Sequence, residues 1–158
     1  MNTKEKYCYE FPRPALTTDC AVFAKENNQW QILLIQRKHE PYKDHWALPG
    51  GFLDMDETVE QCVRRELKEE TGIEVENVEQ VLTASKVDRD PRGRVISVIF
   101  YSIFDKQKPT GEAGLPAETT VKAGDDASIA KWFNINALPE LAFDHDELMK
   151  MILKRIER

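Results

Sequence analysis

A mixed α/β fold is the class this sequence predicts, and three observations carry it. Two runs of strand composition, Ala15 to Ala24 and Trp30 to Arg37, flank a polar turn. A helical segment from Thr58 to Thr71 follows, with an apolar face and a glycine at its end. Two further strand-like runs and a last amphipathic helix complete the order. The chain has 158 residues, 41% of them apolar, which suits one domain (1–158) with one core and contains no internal repeat.

Each element has its own warrant. Glu26-Asn27-Asn28-Gln29 supplies the turn residues of a hairpin between the first two strands. Lys38 to His45 is a polar loop, and Trp46-Ala47-Leu48 is a short strand running into Pro49-Gly50-Gly51. That triplet reads as a tight turn in which glycine reaches positive φ or lets the backbone come close to a ligand. Gly72 stands at the C′ position of the helix. Ile73 to Val87 and Val95 to Phe104 read as two long strands around Asp88-Arg89-Asp90-Pro91-Arg92-Gly93. Gln107 to Asp126 is a loop long enough to suggest function. Ser128 to Phe133 is a final strand. Asp144 and Glu147 have capping-box spacing at the start of the last helix, and Met149, Ile152, Leu153 and Ile156 form its apolar stripe.

The central helix carries the chemistry. At about 100° per residue, with Val59 at zero, Cys62, Val63 and Leu67 define the apolar face, Glu66 falls near about −20° and Glu70 near about +20°. Glu69 lies on the edge, while Glu57, Arg64 and Lys68 point to solvent. Like charges at this spacing destabilise an isolated helix by about 0.2–0.5 kcal/mol per pair. A solvated acidic face paired with Arg64, Arg65 and Lys68 is one explanation. The azimuth favours another: carboxylates aimed inward around a hard divalent cation, which prefers oxygen ligands and removes the penalty of buried like charge. Arg65, four residues before Glu69, is placed to hold that carboxylate.

From Gly51 through Glu57 to Arg65-Glu66-Leu67-x-Glu69-Glu70-x-Gly72-Ile73, all 23 residues resemble the signature of the Nudix hydrolases. The resemblance implies an α/β/α sandwich around a mixed β-sheet. It also implies a Mg²⁺-dependent pyrophosphohydrolase, with Mn²⁺ able to substitute, acting on nucleoside diphosphates linked to another group. Glu66, Glu69, Glu70 and the carbonyl of Gly50 then resemble the metal ligands, and Glu57 with Arg65 the pair supporting them. Glu69, on the edge, is the one placed to shift between ligand and base.

Outside the signature, Phe11 to Thr17, Asp88 to Gly93 and Leu141 to His145 are similar to the ADP-ribose pyrophosphatase branch. In that branch a proline beyond the signature marks ADP-ribose hydrolases, and Pro91 lies 18 residues past Ile73. The expected products are AMP and ribose 5-phosphate. The general base is expected from one of the signature glutamates or from a carboxylate of the long loop, Glu112, Glu118, Asp125 or Asp126. Arg37, Arg89 and Arg92 are candidates for phosphate or ribose contacts, or else surface ion pairs. Trp46 and Phe52 are candidates for stacking on base or ribose, or else for packing, and His145 reads as structural. A hydrolase of a nucleoside triphosphate or dinucleoside polyphosphate, and a non-catalytic ADP-ribose sensor, are the rival functions.

Charge and targeting bound the rest. The net charge is −6 without a basic tract, which argues against nucleic acid as a partner but not against a phosphate substrate. No membrane span or signal segment is visible, and Cys8, Cys20 and Cys62 lack metal spacing, so a reducing cytoplasm is expected. Tyr7, Tyr9 and Phe11 form an aromatic arm within residues 1–14, expected to pack on a second subunit of a homodimer.

Overall fold

The computed structural model describes residues 7–106, 118–119 and 127–156. Strands β1 (Ala15–Glu26) and β2 (Gln29–Arg37) form the expected hairpin. Asn27 and Asn28 both take positive φ, 48° and 64°, as a two-residue turn between right-twisted strands requires. Next come β3 (Trp46–Ala47), β4 (Gly50–Phe52), α1 (Val59–Thr71), β5 (Glu79–Ala84), β6 (Val95–Phe104), β7 (Glu118–Thr119), β8 (Ala127–Asn134) and α2 (His145–Ile156). The sheet runs β5-β6-β1-β2-β8-β7, with β3 on β2 and β4 on β1. The β1–β6 ladder is parallel and the others are antiparallel, which makes the sheet mixed.

Alternation along the strands divides the core in two. Cys20, Val22, Leu33 and Ile35 face α1 through Val63 and Leu67. Ala21, Phe23, Ile32 and Leu34 face the opposite way, with Leu148, Met149 and Ile152 of α2. This two-residue period buries both faces of one sheet and gives the α/β/α sandwich.

Two expected elements change. The run from Ile73 to Val87 keeps only six residues of strand, Glu79–Ala84. Ile73 is buried and Val75 and Val78 pack on the α1 side of the core, so their alternation serves packing without a ladder. The expected turn at Pro49-Gly50-Gly51 instead leads directly into strand β4. Neither glycine has positive φ. They are small because neighbours are close: a methyl group at Gly50 would overlap the Thr18 carbonyl, and one at Gly51 would overlap the Glu66 carboxylate.

Those close approaches accompany a split in the sheet. β1 and β2 pair from Val22–Leu33 outward to Glu26–Gln29. At the other end Thr17–Asp19 pairs with β4, and Ile35–Gln36 pairs with β3. The Leu48–Pro49 connection therefore bridges two strands that have separated, and a cleft opens at that point.

Candidate active site

Helix α1 is fixed at both ends. Thr58 and Gln61 exchange a reciprocal capping box, and Gly72, at φ 70°, donates its N–H to the Lys68 carbonyl at 2.9 Å. Its signature carboxylates grade as the helical azimuth predicts: Glu70 is buried, Glu66 half-buried and Glu69 exposed. Glu70 Oε2 accepts the Gly50 N–H at 2.9 Å, which ties the helix to β4.

Arg65 organises the others. Its Nε and Nη2 grip both oxygens of Glu57 at 3.0 and 2.6 Å, and Nη2 also donates to the Phe52 carbonyl at 3.1 Å. Nη1 reaches Glu66 at 2.7 Å and Glu69 at 3.3 Å. Glu57 therefore departs from the expectation that it points to solvent. It precedes the helix, so the helical azimuth does not govern it, and its side chain is only 12% exposed. The hydrogen bonds from Arg65 hold its carboxyl down to about 2, and the same contacts push the Arg65 pKa up. Glu66 moves the other way. Burial raises its pKa more than Arg65 and its attendant charge lower it.

Among the described residues, no three His, Cys, Asp or Glu side chains converge into a group that could hold a metal. The donor chemistry nonetheless fits a hard cation. All donors are oxygens, one guanidinium faces the four carboxylates of Asp54, Glu57, Glu66 and Glu69, and burial still raises the Glu66 pKa with Arg65 attached.

A cleft open to solvent lies beside this acidic cluster and meets it at Glu70. Asp19, Gly50 and Gly51 line it together with Arg37, Arg89, Arg92, Phe52 and Phe143. The expected arginines differ in kind. Arg89 is buried, and its Nε and Nη2 bind both oxygens of Asp144 at 2.9 and 2.7 Å, which locks the β5–β6 connection to the start of α2. That use of Asp144 accompanies a change at the last helix, whose buried face begins at His145 and Leu148 and leaves Ile156 exposed. Arg92 is gripped by Asp90, at 3.0 Å from Nε and 2.7 Å from Nη2, and its guanidinium lies over Phe52 and Phe143 at 5.1 and 5.3 Å. Burial pushes the Asp90 carboxyl up, but the Arg92 bonds outweigh it and the net direction is down. Arg37 donates to the Pro41 carbonyl at 2.9 Å and stacks over Phe143 at 4.8 Å.

Trp46 lies outside this lining. Its ring packs edge-on to Phe133 at 4.6 Å, against the α2 side of the core. Phe52 is 45% exposed within the cleft. Glu118 falls in β7, and Glu112, Asp125 and Asp126 lie outside the described residues. Phe143 and Asp19 were not anticipated as lining residues. Asp19 had a visible signal, a lone acid in the middle of an otherwise uncharged strand. Phe143 stood within the Leu141 to His145 stretch that resembles the ADP-ribose pyrophosphatase branch, but its φ of 55° and its arginine contacts come from tertiary structure.

The geometry defines a cleft in which the buried signature carboxylate Glu70 shares the lining with guanidinium groups stacked on aromatic rings. The NUDIX domain family matches residues 14–153. An ADP-ribose pyrophosphatase of Methanocaldococcus jannaschii is 47% identical over 138 residues, covering 87% of this chain and 72% of that protein. The ADPR responsive transcriptional repressor NtrR of Acinetobacter baylyi is 34% identical, covering 93% of this chain but 56% of the repressor. The NUDIX domain of Shewanella oneidensis NrtR complexed with ADP ribose matches with a TM-score of 0.73 at 31% identity, over 92% of this chain and 90% of that one. A MutT/nudix family protein from Enterococcus faecalis gives 0.79 at 32% identity, over 96% of this chain and 65% of that one. The protein belongs to the Nudix family and is a Nudix hydrolase.

Proposed function

We propose that this Nudix hydrolase cleaves ADP-ribose to AMP and ribose 5-phosphate, with one water added across the diphosphate bond. The observation that carries the reading is the cleft lining, which brings Glu70 of the acidic cluster, suited to a cation-bound diphosphate, together with Arg92, Phe52 and Phe143, suited to the group beyond it. The archaeal pyrophosphatase and the ADP-ribose-complexed domain support the same substrate.

In this reading Glu66, Glu69, Glu70 and the Gly50 carbonyl hold Mg²⁺, with Mn²⁺ able to replace it. The chemistry supplied there, once the ion is bound, is neutralisation of diphosphate charge and a lowered pKa for water. The protein's own residues contribute positioning, the main demand of phosphoryl-type transfer. Arg65 orients Glu66 and Glu69 while Glu57 fixes Arg65 itself. Glu70 anchors the β4 backbone through Gly50. Arg92, held in a fixed plane by Asp90, presents a guanidinium suited to oxyanions and ribose hydroxyls. Glu69, the exposed carboxylate, is the described candidate for taking the water's proton.

The repressor relative favours a second reading, ADP-ribose binding without turnover. Retention of Glu66, Glu69 and Glu70 supports catalysis over sensing. We further propose one domain acting as a cytoplasmic homodimer, without a nucleic-acid partner. Its support is the exposed arm, in which Tyr7, Tyr9 and Phe11 are 59%, 44% and 72% exposed. No helix among the described residues is long and apolar enough to cross a membrane.

A substrate panel with Mg²⁺ tests the assignment: ADP-ribose, NADH, diadenosine polyphosphates, nucleotide sugars and nucleoside triphosphates. ADP-ribose should give the highest kcat/KM. A preference for a triphosphate would replace the assignment, and tight ADP-ribose binding without product would establish the sensor. A monomeric mass by light scattering at micromolar concentration would remove the dimer.

A further inference from the structure

Four residues, Leu48 to Gly51, are gripped from both faces of the sheet. From the α1 side, Glu70 accepts the Gly50 N–H, and the Glu66 carboxylate lies against the open face of Gly51. From β1, the Cys20 N–H donates to the Pro49 carbonyl at 2.9 Å. From α2, His145 Nδ1 accepts the Leu48 N–H at 3.0 Å. The last contact supplies what the ladder does not, because Leu48 lies in the connection between β3 and β4 and its buried N–H still needs an acceptor. Here a histidine 97 residues away, only 3% exposed, takes that place.

The histidine is itself held. Because Nδ1 accepts, the neutral ring must carry its proton on Nε2. Nε2 faces Asp19 Oδ1 at 3.8 Å, an electrostatic contact beyond hydrogen-bond range. The other Asp19 oxygen accepts a short hydrogen bond from Ser97 Oγ. Ser97 on β6, Asp19 on β1 and His145 on α2 thus form one buried polar line ending on Leu48. Asp19 is also the Cα partner of Gly50 in the β1–β4 ladder. A leucine at position 145 would serve the core with no desolvation cost, so packing alone does not account for this line.

We propose that His145 is a positioning residue for the cation site: through Leu48 it sets the peptide of Gly50, and so the register between the Gly50 carbonyl and Glu70. The inference rests on the proposed reading of Gly50 and Glu70 as cation ligands. It adds that α2, on the opposite face from the signature helix, helps determine cation affinity. Groups that orient metal ligands from behind characteristically change affinity by about 10–100-fold when removed.

Mn²⁺ binding to the nucleotide-free protein, followed by electron paramagnetic resonance, provides the test. His145→Gln moves the side-chain amide one methylene beyond Nδ1 and should weaken Mn²⁺ about tenfold. His145→Asn places an amide oxygen where Nδ1 stood and should restore affinity close to wild type. Leu148→Ala, in the same helix and core, should lower Tm while leaving Mn²⁺ affinity unchanged. In the unmodified protein, the Leu48 amide and the His145 ring ¹⁵N resonances should shift on Mg²⁺ titration, which reads the coupling without a variant. Equal Mn²⁺ affinity in the wild type and a folded His145→Gln, or resonances that stay fixed as Mg²⁺ saturates, would overturn the role of His145 alone. A wild-type protein that binds no Mn²⁺ would overturn the cation reading and this inference with it.

Discussion

The signature cluster and the connection between β5 and β6 use the same ingredients in different proportions. Between β5 and β6 each of two guanidiniums grips both oxygens of a carboxylate: Arg89 holds Asp144 and Arg92 holds Asp90. In the signature cluster a single Arg65 contacts Asp54, Glu57, Glu66 and Glu69, with Glu70 buried nearby. Bidentate pairs complete themselves and behave as structure. The cluster around Arg65 sets several carboxylates on one guanidinium, and burial turns such crowded negative charge into an affinity for a cation. The crowding of carboxylates therefore separates the residues that build the site from those available to act in it.

The comparison can be broken in four places, taken from the largest expected effect. Glu70→Gln keeps the shape of the most buried signature carboxylate while removing its charge. It should lower kcat about a thousandfold, close to 4 kcal/mol, with an unchanged circular dichroism spectrum. Near-normal Mg²⁺-dependent turnover would show that this carboxylate's charge is not used. Arg89→Ala tests the bidentate pairs. It leaves Asp144 buried without its partner and should cost about 3 kcal/mol in urea denaturation, while Arg89→Leu with Asp144→Leu together should recover much of that loss. If the single variant lost activity without losing stability, the pair would belong to the reactive part of the site.

Arg92→Lys is the intermediate case, since Arg92 is both paired and exposed to the cleft. Lysine loses the planar contact with Phe52 and Phe143, so KM should rise about tenfold, or about 1.4 kcal/mol, with kcat little changed. A fall in kcat alone would place Arg92 at the reacting centre instead. The smallest effect concerns pH. Burial lowers the His145 pKa, so the unfolded chain takes up a proton that the folded one resists. This contribution to stability is complete above about pH 6.5 and is lost as pH falls through the folded value, by at most about 1.4 kcal/mol per pH unit. His145→Asn should flatten that part of the urea-denaturation profile, and an identical slope in the variant would remove the assignment.

The sequence made the local features readable. The Asn27-Asn28 hairpin, the left-handed Gly72 and the gradation from Glu70 to Glu69 all depend on residues within one turn of each other. Contacts at long range were not readable. Arg89 meets Asp144 across 55 positions, and His145 meets Leu48 across 97. Ile73 to Val78 was misread as strand because an apolar alternation that packs beneath a helix has the same period as one that forms a ladder. Gly50 and Gly51 showed that a small residue was required, but not that the Thr18 carbonyl and Glu66 were the neighbours requiring it. Glu57 was misplaced for a simpler reason: a helical azimuth was applied to a residue that stands before the helix.

The three cysteines have a practical consequence. Cys20 and Cys62 are buried, with thiols pushed up to about 12, chiefly by that burial. Cys62 also sits between the Thr18 hydroxyl and the Phe52 carbonyl. Alkylating reagents need thiolate and access, and both are denied at these two positions. Cys8 is exposed and lies between Tyr7 and Tyr9 in the N-terminal arm. The native protein thus offers one addressable thiol, where a fluorophore or spin label would report on the surroundings of the arm without any engineered substitution.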